Sequence, residues 1–282
     1  MQNYEEAIDA NIVVHSAMAD KYNTVEPQFK PESIARVKKN IELIIKGKKI
    51  NTALDLGCGT GFMIDILKPY VKEITGVDVT QAMLDQVVLS SDCNINLIKY
   101  DTGSVELPSN YYDIATAYSF LDHLYEMEPT LRNTYKCLKR GGILYADLCP
   151  NYYFWESIKN LDKIQNYDSI IEREIKAINK KGEEIEEQFG VKKEIFIKAE
   201  HQKHIIGGLR EESLNNLLKD IGFINISFLY HWYIGQAQLV NDQNIERKSR
   251  INNANIMHQY LTKSLPLSRH LFKYIGFIAT KP

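Results

Sequence analysis

An α/β fold, with a mostly parallel sheet and helices on both of its faces, is what this sequence predicts. Three observations carry the prediction. Between residues 51 and 148, short apolar runs alternate with segments of helical period. A glycine-rich turn, 57-GCGTG-61, follows the first of those runs directly. The alternation resumes near residue 210 and ends on a strand-like tail, 271-LFKYIGFIATK-281. Parallel strands need crossover connections, and helices serving as crossovers cover the sheet on both sides.

The elements follow in order. Residues 4–20 suit an amphipathic helix, with Ile8, Ile12 and His15 or Ser16 near one face. The stretch 21–31 is turn-rich, with Pro27 and Pro31. Helical spacing returns over 32–47, where Ile34, Val37, Ile41, Ile44 and Ile45 recur and Gly47 stops the run. Strand 51–56 precedes helix 61–69. Strand 73–79 precedes helix 80–89, and strand 95–101 leads into a turn at 102–108. Strand 112–119 precedes helix 126–140, which Gly141 and Gly142 end, and strand 142–148 closes the series.

The second half breaks this rhythm. Charged helical segments are expected at 158–165 and 170–187, and partial period-two alternation predicts extended strands over 189–207. Helix 210–222 and strand 223–232 restore the first pattern, 235–264 is polar and without clear period, and 271–281 is a last strand. The expected organisation is a core with N-terminal lid helices over 1–149, a cap insertion over 150–207, and a return to the sheet over 208–282 with a second insertion near 235–268.

Composition narrows the function. The 282 residues are 44% hydrophobic with a net charge of −2, which speaks against a broad basic face for nucleic acid. Cys58, Cys93, Cys137 and Cys149 are dispersed, without CxxC or metal-ligand spacing, as suits a reducing compartment, and no metal is expected. The N-terminus has no signal-peptide pattern, and no apolar run approaches the ~18–20 residues that span a bilayer. A cytoplasmic protein is the expectation.

The glycine turn carries the first chemistry. A strand feeding glycines into a helix N-terminus offers backbone N–H groups to a ligand. Gly57 allows a sharp turn at positive φ, while Gly59 and Gly61 clear side chains from the main chain. The spacing is GxGxG rather than the dinucleotide GxGxxG. Asp78 ends the next strand, 17 residues after Gly61, where a carboxylate can accept from both hydroxyls of a ribose. The site therefore reads as adenosine joined to something other than a pyrophosphate.

With 53-ALDLGCGTG-61, 76-GVDVT-80, 99-KYDTG-103, 111-YYDIATAYSFLDHL-124 and 137-CLKRGGILYADL-148 in this order, the sequence resembles the class I S-adenosylmethionine-dependent methyltransferases. The resemblance is good over roughly residues 50–150. It implies a Rossmann-like, seven-stranded sheet whose last strand, 271–280 here, runs antiparallel. It also implies that Gly57, Gly59 and Gly61, with the small Cys58 between them, cradle the methionine part of the cofactor, and that Asp55 helps hold its ammonium group. Asp78 would bind the ribose, Val79 and Met83 would pack on adenine, Asp101 and Thr102 would face the adenine amino group and ring, and Tyr118 and Ser119 would border the cofactor. Each of these has a structural alternative: Asp55 as a turn cap, Asp101 as an Asx-turn residue, Met83 as core.

For the transfer itself, His123 is the candidate base, just past the fourth strand, and Tyr22 the candidate lid residue over the reaction centre. Helix capping and a plain surface position are the competing readings. Asp122 reads as an N-cap or a substrate-orienting acid. The segment 197–223 resembles part of small-molecule N-methyltransferases, which makes His201 a pocket candidate. Tyr152 and Trp155, after the fifth strand, would wall the substrate unless they pack the cap. A small-molecule substrate methylated on N or O is the leading expectation, with C-methylation as the alternative. The place of the Asn/Asp-Pro-Pro-aromatic segment expected of nucleobase methylases holds 118-YSFLD-122. A nicotinamide oxidoreductase and a non-catalytic binding module are the readings from other classes. A homodimer is left open.

Overall fold

The computed structural model describes residues 3–161 and 165–282, without the side chains of 178 and 179. Seven strands form one sheet: β1 (Thr52–Leu56), β2 (Glu73–Asp78), β3 (Asn94–Lys99), β4 (Tyr112–Tyr118), β5 (Leu138–Pro150), β6 (Ile224–Tyr233) and β7 (Phe272–Thr280). Their order is β3-β2-β1-β4-β5-β7-β6, and β7 is antiparallel to both of its neighbours while the other pairings are parallel.

Twelve helices accompany the sheet in the described residues. They are α1 (Tyr4–Met18), α2 (Tyr22–Val25), α3 (Pro31–Ile44), α4 (Phe62–Leu67), α5 (Gln81–Leu84), α6 (Glu128–Cys137), α7 (Tyr152–Lys159), α8 (Ser169–Phe189), α9 (Lys193–Ala199), α10 (Glu211–Ile221), α11 (Gln236–Asn241) and α12 (Arg247–Lys263). Successive strand residues point to opposite faces, so the core divides in two. Leu54, Leu144 and Phe277 meet Leu131 of α6 and Leu218 of α10 on one face. Ala53, Ile143 and Tyr145 meet Ile41 of α3 and Ile64 of α4 on the other. A third cluster joins Ala10, Val14 and Met18 of α1 to Ile185 of α8 and Phe196 and Ala199 of α9.

Three expectations change. The strands expected over 189–207 are α9 and a π-helical turn at Gln202–Ile206, bounded by Gly190 at φ 70° and Gly207 at φ 96°. The alternation that suggested strands came from charges paired along a helix: Glu200 bonds Lys203 at 2.7 Å and His204 at 2.8 Å, three and four residues on. The buried face of α1 is Ala7, Ala10, Asn11, Val14 and Met18 rather than the Ile8–Ile12 face. Residues 235–264, without clear period in the sequence, hold α11 and α12. The segment expected to be helical at 158–165 runs partly into 162–164, outside the described residues.

The sheet is fastened at its centre by a buried charge. Asp147 of β5 is fully buried. Arg36 of α3 donates to its Oδ2 at 2.8 Å, and the Tyr145 hydroxyl donates to the same oxygen at 2.6 Å. The Leu148 N–H donates to Oδ1 at 2.7 Å, and His231 Nε2 of β6 stands 3.2 Å from that oxygen. Arg36 also donates to the Tyr118 hydroxyl at 3.1 Å. Gly276 of β7 makes room: a Cβ there would lie 2.7 Å from the Ala146 carbonyl oxygen and 2.9 Å from Asp147 Oδ1. The chain leaves the sheet after Pro150 and returns at Leu209, where Leu209 N–H donates to the Pro150 carbonyl at 2.8 Å and Tyr152 N–H to the Leu209 carbonyl at 3.1 Å.

Burial pushes the Asp147 carboxyl upward, but His231 and Arg36 outweigh it and hold the group well below the usual carboxylate range. A depressed folded-state pKa adds stability above the unfolded value of about 4 that is lost as pH falls below it. Asp147→Ala leaves His231 and Arg36 facing an empty site, and is expected to cost about 3–5 kcal/mol in urea unfolding at neutral pH. The gap between variant and wild type should narrow as the pH is lowered below about 4.

Candidate active site

The strand ends that follow from this topology open onto a cleft of about 880 Å³, counting its solvent-open part. Its floor is main chain. Gly57 and Gly59 take φ of 62° and 51°, and Gly61, at φ 90°, is the N-cap before α4. At Gly57 the requirement is steric as well as conformational, since a Cβ would lie 2.0 Å from the Phe120 ring. Asp78, at the end of β2, fastens the loop. Its Oδ2 accepts from Gly59 N–H at 2.9 Å and its Oδ1 from Thr80 N–H at 2.8 Å. The carboxylate keeps acceptor capacity for a ligand hydroxyl. Burial pushes this carboxyl up while the two backbone donors pull it back.

Farther along, Asp101 accepts from Ser104 Oγ at 2.8 Å and faces the Tyr4 hydroxyl, whose pKa burial and this carboxylate raise. Thr102 shares a 2.9 Å hydroxyl contact with Thr130. Val79, Met83, Tyr118, Ser119 and Cys58 line the same cleft. The Cys58 thiol is pushed well up by burial and then by Asp78, which makes it a small apolar wall rather than a nucleophile.

The roof comes from the N-terminal segment. Tyr4, Ala7, Ile8, Asn11 and His15 of α1 line the cleft with Tyr22 and Gln28. The roof is tied down at several points. Asn11 Nδ2 donates to the His123 carbonyl at 3.1 Å, Thr60 Oγ1 donates to Asn23 Oδ1 at 2.5 Å, and Lys198 meets Glu6 at 3.1 Å. Rings continue from roof to floor: Tyr22 and Phe29 at 6.2 Å, Phe29 and Phe62 at 5.3 Å, Phe62 and Tyr118 at 4.7 Å.

His123 lies in a short 3₁₀ turn, Leu121–His123, just past β4. Its Nδ1 is 3.0 Å from the Ala199 carbonyl oxygen. A carbonyl only accepts, so Nδ1 carries the proton and Nε2 is the basic nitrogen of the neutral ring. Nε2 is 3.8 Å from Asp122 Oδ2. Asp122 is buried, its Oδ1 has no hydrogen-bond partner, and burial pushes its carboxyl up against the pull of His123. The His15 ring meets the His123 ring edge-on at 4.9 Å, and burial, then His123, lowers His15 to about 4. The Tyr22 hydroxyl accepts from Gln28 Nε2 at 3.4 Å, and burial keeps it protonated.

Most of the sequence-derived site thus converges on one cleft: Tyr22, Gly57, Cys58, Gly59, Asp78, Val79, Met83, Asp101, Thr102, Tyr118, Ser119 and His123. Others stand apart from its lining, Gly61 among them, where a Cβ would meet Val87 at 3.2 Å rather than the cleft. Asp55 is buried in β1, accepting from Thr116 Oγ1 at 2.7 Å, with Oδ2 unpartnered and its pKa pushed up to about 7 by burial. Tyr152 bonds Glu156 at 2.5 Å beneath the Arg210 guanidinium, 3.6 Å from its ring centre. Trp155 is buried under Lys203, and His201 packs behind the lining on Tyr125 at 4.7 Å. The expected substrate wall of Tyr152, Trp155 and His201 is therefore not part of this cleft. Tyr4, Asn11, His15 and Gln28 were not anticipated as lining, because sequence periodicity does not say which neighbour covers a helix face.

Residues 54–146 match the methyltransferase domain family. The core of this chain is a class I S-adenosylmethionine-dependent methyltransferase domain. Among curated proteins, it is 26% identical over 145 residues to a ubiquinone biosynthesis O-methyltransferase of Pseudomonas entomophila, covering 48% of this chain and 61% of that one. To the protein of the same description from Coxiella burnetii it is 26% identical over 107 residues, covering 37% and 44%. The chain thus spans about half the length of the curated relatives it matches.

In three dimensions the methyltransferase fold recurs in a phosphoethanolamine N-methyltransferase of Haemonchus contortus, solved with phosphomonomethylethanolamine and S-adenosylhomocysteine. The TM-score is 0.58 at 14% identity, over 100% of this chain and 61% of that one. A Listeria monocytogenes protein described as a methyltransferase gives 0.53 at 14%, over 90% and 100%. Among the described residues no helix is long and apolar enough to cross a membrane, and no three acidic, His or Cys side chains are grouped to hold a metal.

The cleft's residues fit the family's cofactor: bare main chain at Gly57 and Gly59, separate carboxylates at Asp78 and Asp101, and aromatic faces at Phe62 and Tyr118. Gly57→Ala is expected to lose at least about 1 kcal/mol in urea unfolding from positive-φ strain alone. A crystal structure of the variant should show the Phe120 ring displaced into the cleft.

Proposed function

We propose that this chain methylates a nitrogen or oxygen of a small organic molecule with S-adenosylmethionine, His123 taking the acceptor's proton. The observation that carries the reading is the meeting, in one cleft, of the Asp78-fastened glycine loop and an imidazole whose Nδ1–H is spent on a backbone carbonyl. When bound, the cofactor supplies a methyl group activated by a sulfonium, so the protein's work is alignment, exclusion of water and proton transfer.

Gly57 and Gly59 would accept close approach of the methionine part, Asp78 the ribose, and Asp101 the adenine amino group. Tyr22, on the roof, excludes water. Asp122, 3.8 Å from Nε2, favours the imidazolium formed when His123 accepts a proton. The names of the curated relatives support a small-molecule acceptor and methyl transfer to oxygen. The four free cysteines, all buried, support a place in the cytoplasm.

Two variants test the reading. Asp78→Ala is expected to weaken S-adenosylhomocysteine binding by roughly 10- to 100-fold in calorimetry, the loss of hydrogen bonds to a charged acceptor. Unchanged affinity would refute the assignment of the cleft. His123→Ala is expected to lower kcat about 100-fold or more, with cofactor affinity unchanged, in a radiolabelled methyl-transfer assay over amines and phenols. Full turnover in that variant would return His123 to a structural role.

A further inference from the structure

We propose that Asn11, His15 and His123 form an acceptor-only subsite that selects a primary amine as the methyl acceptor. The proposal rests on the methyl-transfer reading and deepens it. Its basis is the count of hydrogens at one end of the cleft. Asn11 spends both side-chain N–H groups, on the Ala7 carbonyl at 2.9 Å and the His123 carbonyl at 3.1 Å. Its Oδ1 is buried with no partner. His15 Nδ1 is 2.9 Å from the Asn11 carbonyl oxygen and His123 Nδ1 is 3.0 Å from that of Ala199. Both carbonyls can only accept, so both rings carry their proton on Nδ1 and offer Nε2 as acceptor.

Three residues whose side-chain donors are already committed therefore line one cleft, two of them with rings 4.9 Å apart. A buried acceptor left without a donor, as Asn11 Oδ1 is, is costly, and with two further acceptors beside it this arrangement favours a ligand rich in N–H groups. An alcohol or phenol brings one hydrogen, a primary amine two and its ammonium three. The charges nearby agree. Asp122 Oδ2 stands 3.8 Å from His123 Nε2, and Asp78 also acts on that ring, whereas Glu200 is already paired with Lys203 and His204. The depressed pKa of His15 keeps that ring a neutral acceptor at neutral pH. An amine arriving as ammonium passes one proton to Nε2 of His123, leaving a neutral amine and an imidazolium that Asp122 faces.

The test uses the full chain loaded with S-adenosylhomocysteine, whose binding is measured first by calorimetry. Matched pairs are then titrated: 2-phenylethylamine against 2-phenylethanol, and butylamine against butanol. Within at least one pair the amine is expected to bind tenfold or more tighter. That preference should vanish in His15→Phe and in Asn11→Ala and return in His15→Gln, which restores a side-chain acceptor. Thermal melts establish that each variant is folded. The inference is overturned if no amine outbinds its alcohol, or if the folded removal variants keep the preference. It is also overturned if those variants weaken S-adenosylhomocysteine instead, which would assign the acceptors to the cofactor. Failure of the wild type to bind S-adenosylhomocysteine would instead refute the methyl-transfer reading itself.

Discussion

The cleft's wall depends on how one buried charge is neutralised. A carboxylate at zero exposure within a sheet is tolerable only if partners surround it, and those of Asp147 come from both near and distant parts of the chain. Arg36 arrives from the helix before β1, Tyr145 from the same strand, His231 from β6, and Gly276 of β7 leaves the space. The same arginine holds the Tyr118 hydroxyl, and Ser119 N–H donates to the Asp147 carbonyl at 2.9 Å. The end of β4, just before the candidate base, is therefore positioned by electrostatics centred on the neighbouring strand β5.

The floor of the site was legible because it is local. Gly57, Gly59 and Asp78 occupy fixed places relative to two adjacent parallel strands, and once those strands pair, the loop and the carboxylate must meet. Asp101 follows from the next strand by the same logic. The seven strands and the reversed direction of the last agree with what the family resemblance implied, while the alternating apolar runs located the strands themselves.

The roof was not legible, for an equally physical reason. The pattern of α1 announces an apolar stripe, but both α8–α9 and the cleft compete to cover its faces. Ala10 and Val14 went to the former, while Asn11 and His15 went to the latter. The aromatics after β5 lie outside the cleft's lining because α7 stacks them under the cations Arg210 and Lys203. Residues 189–207 misled through charges that alternate in sequence yet pair at helical spacing.

The hydrogen-bonded crossing of Pro150, Tyr152 and Leu209 carries a consequence for how such a chain can change over generations. Everything between those residues leaves and re-enters the sheet through one neck, so its length can drift without altering strand register. The entropic penalty of a longer excursion grows only with the logarithm of its length. The freedom is uneven, because α9 is anchored on α1 by Phe196 and Ala199. A residue gained or lost within α9 would turn its buried face away from α1.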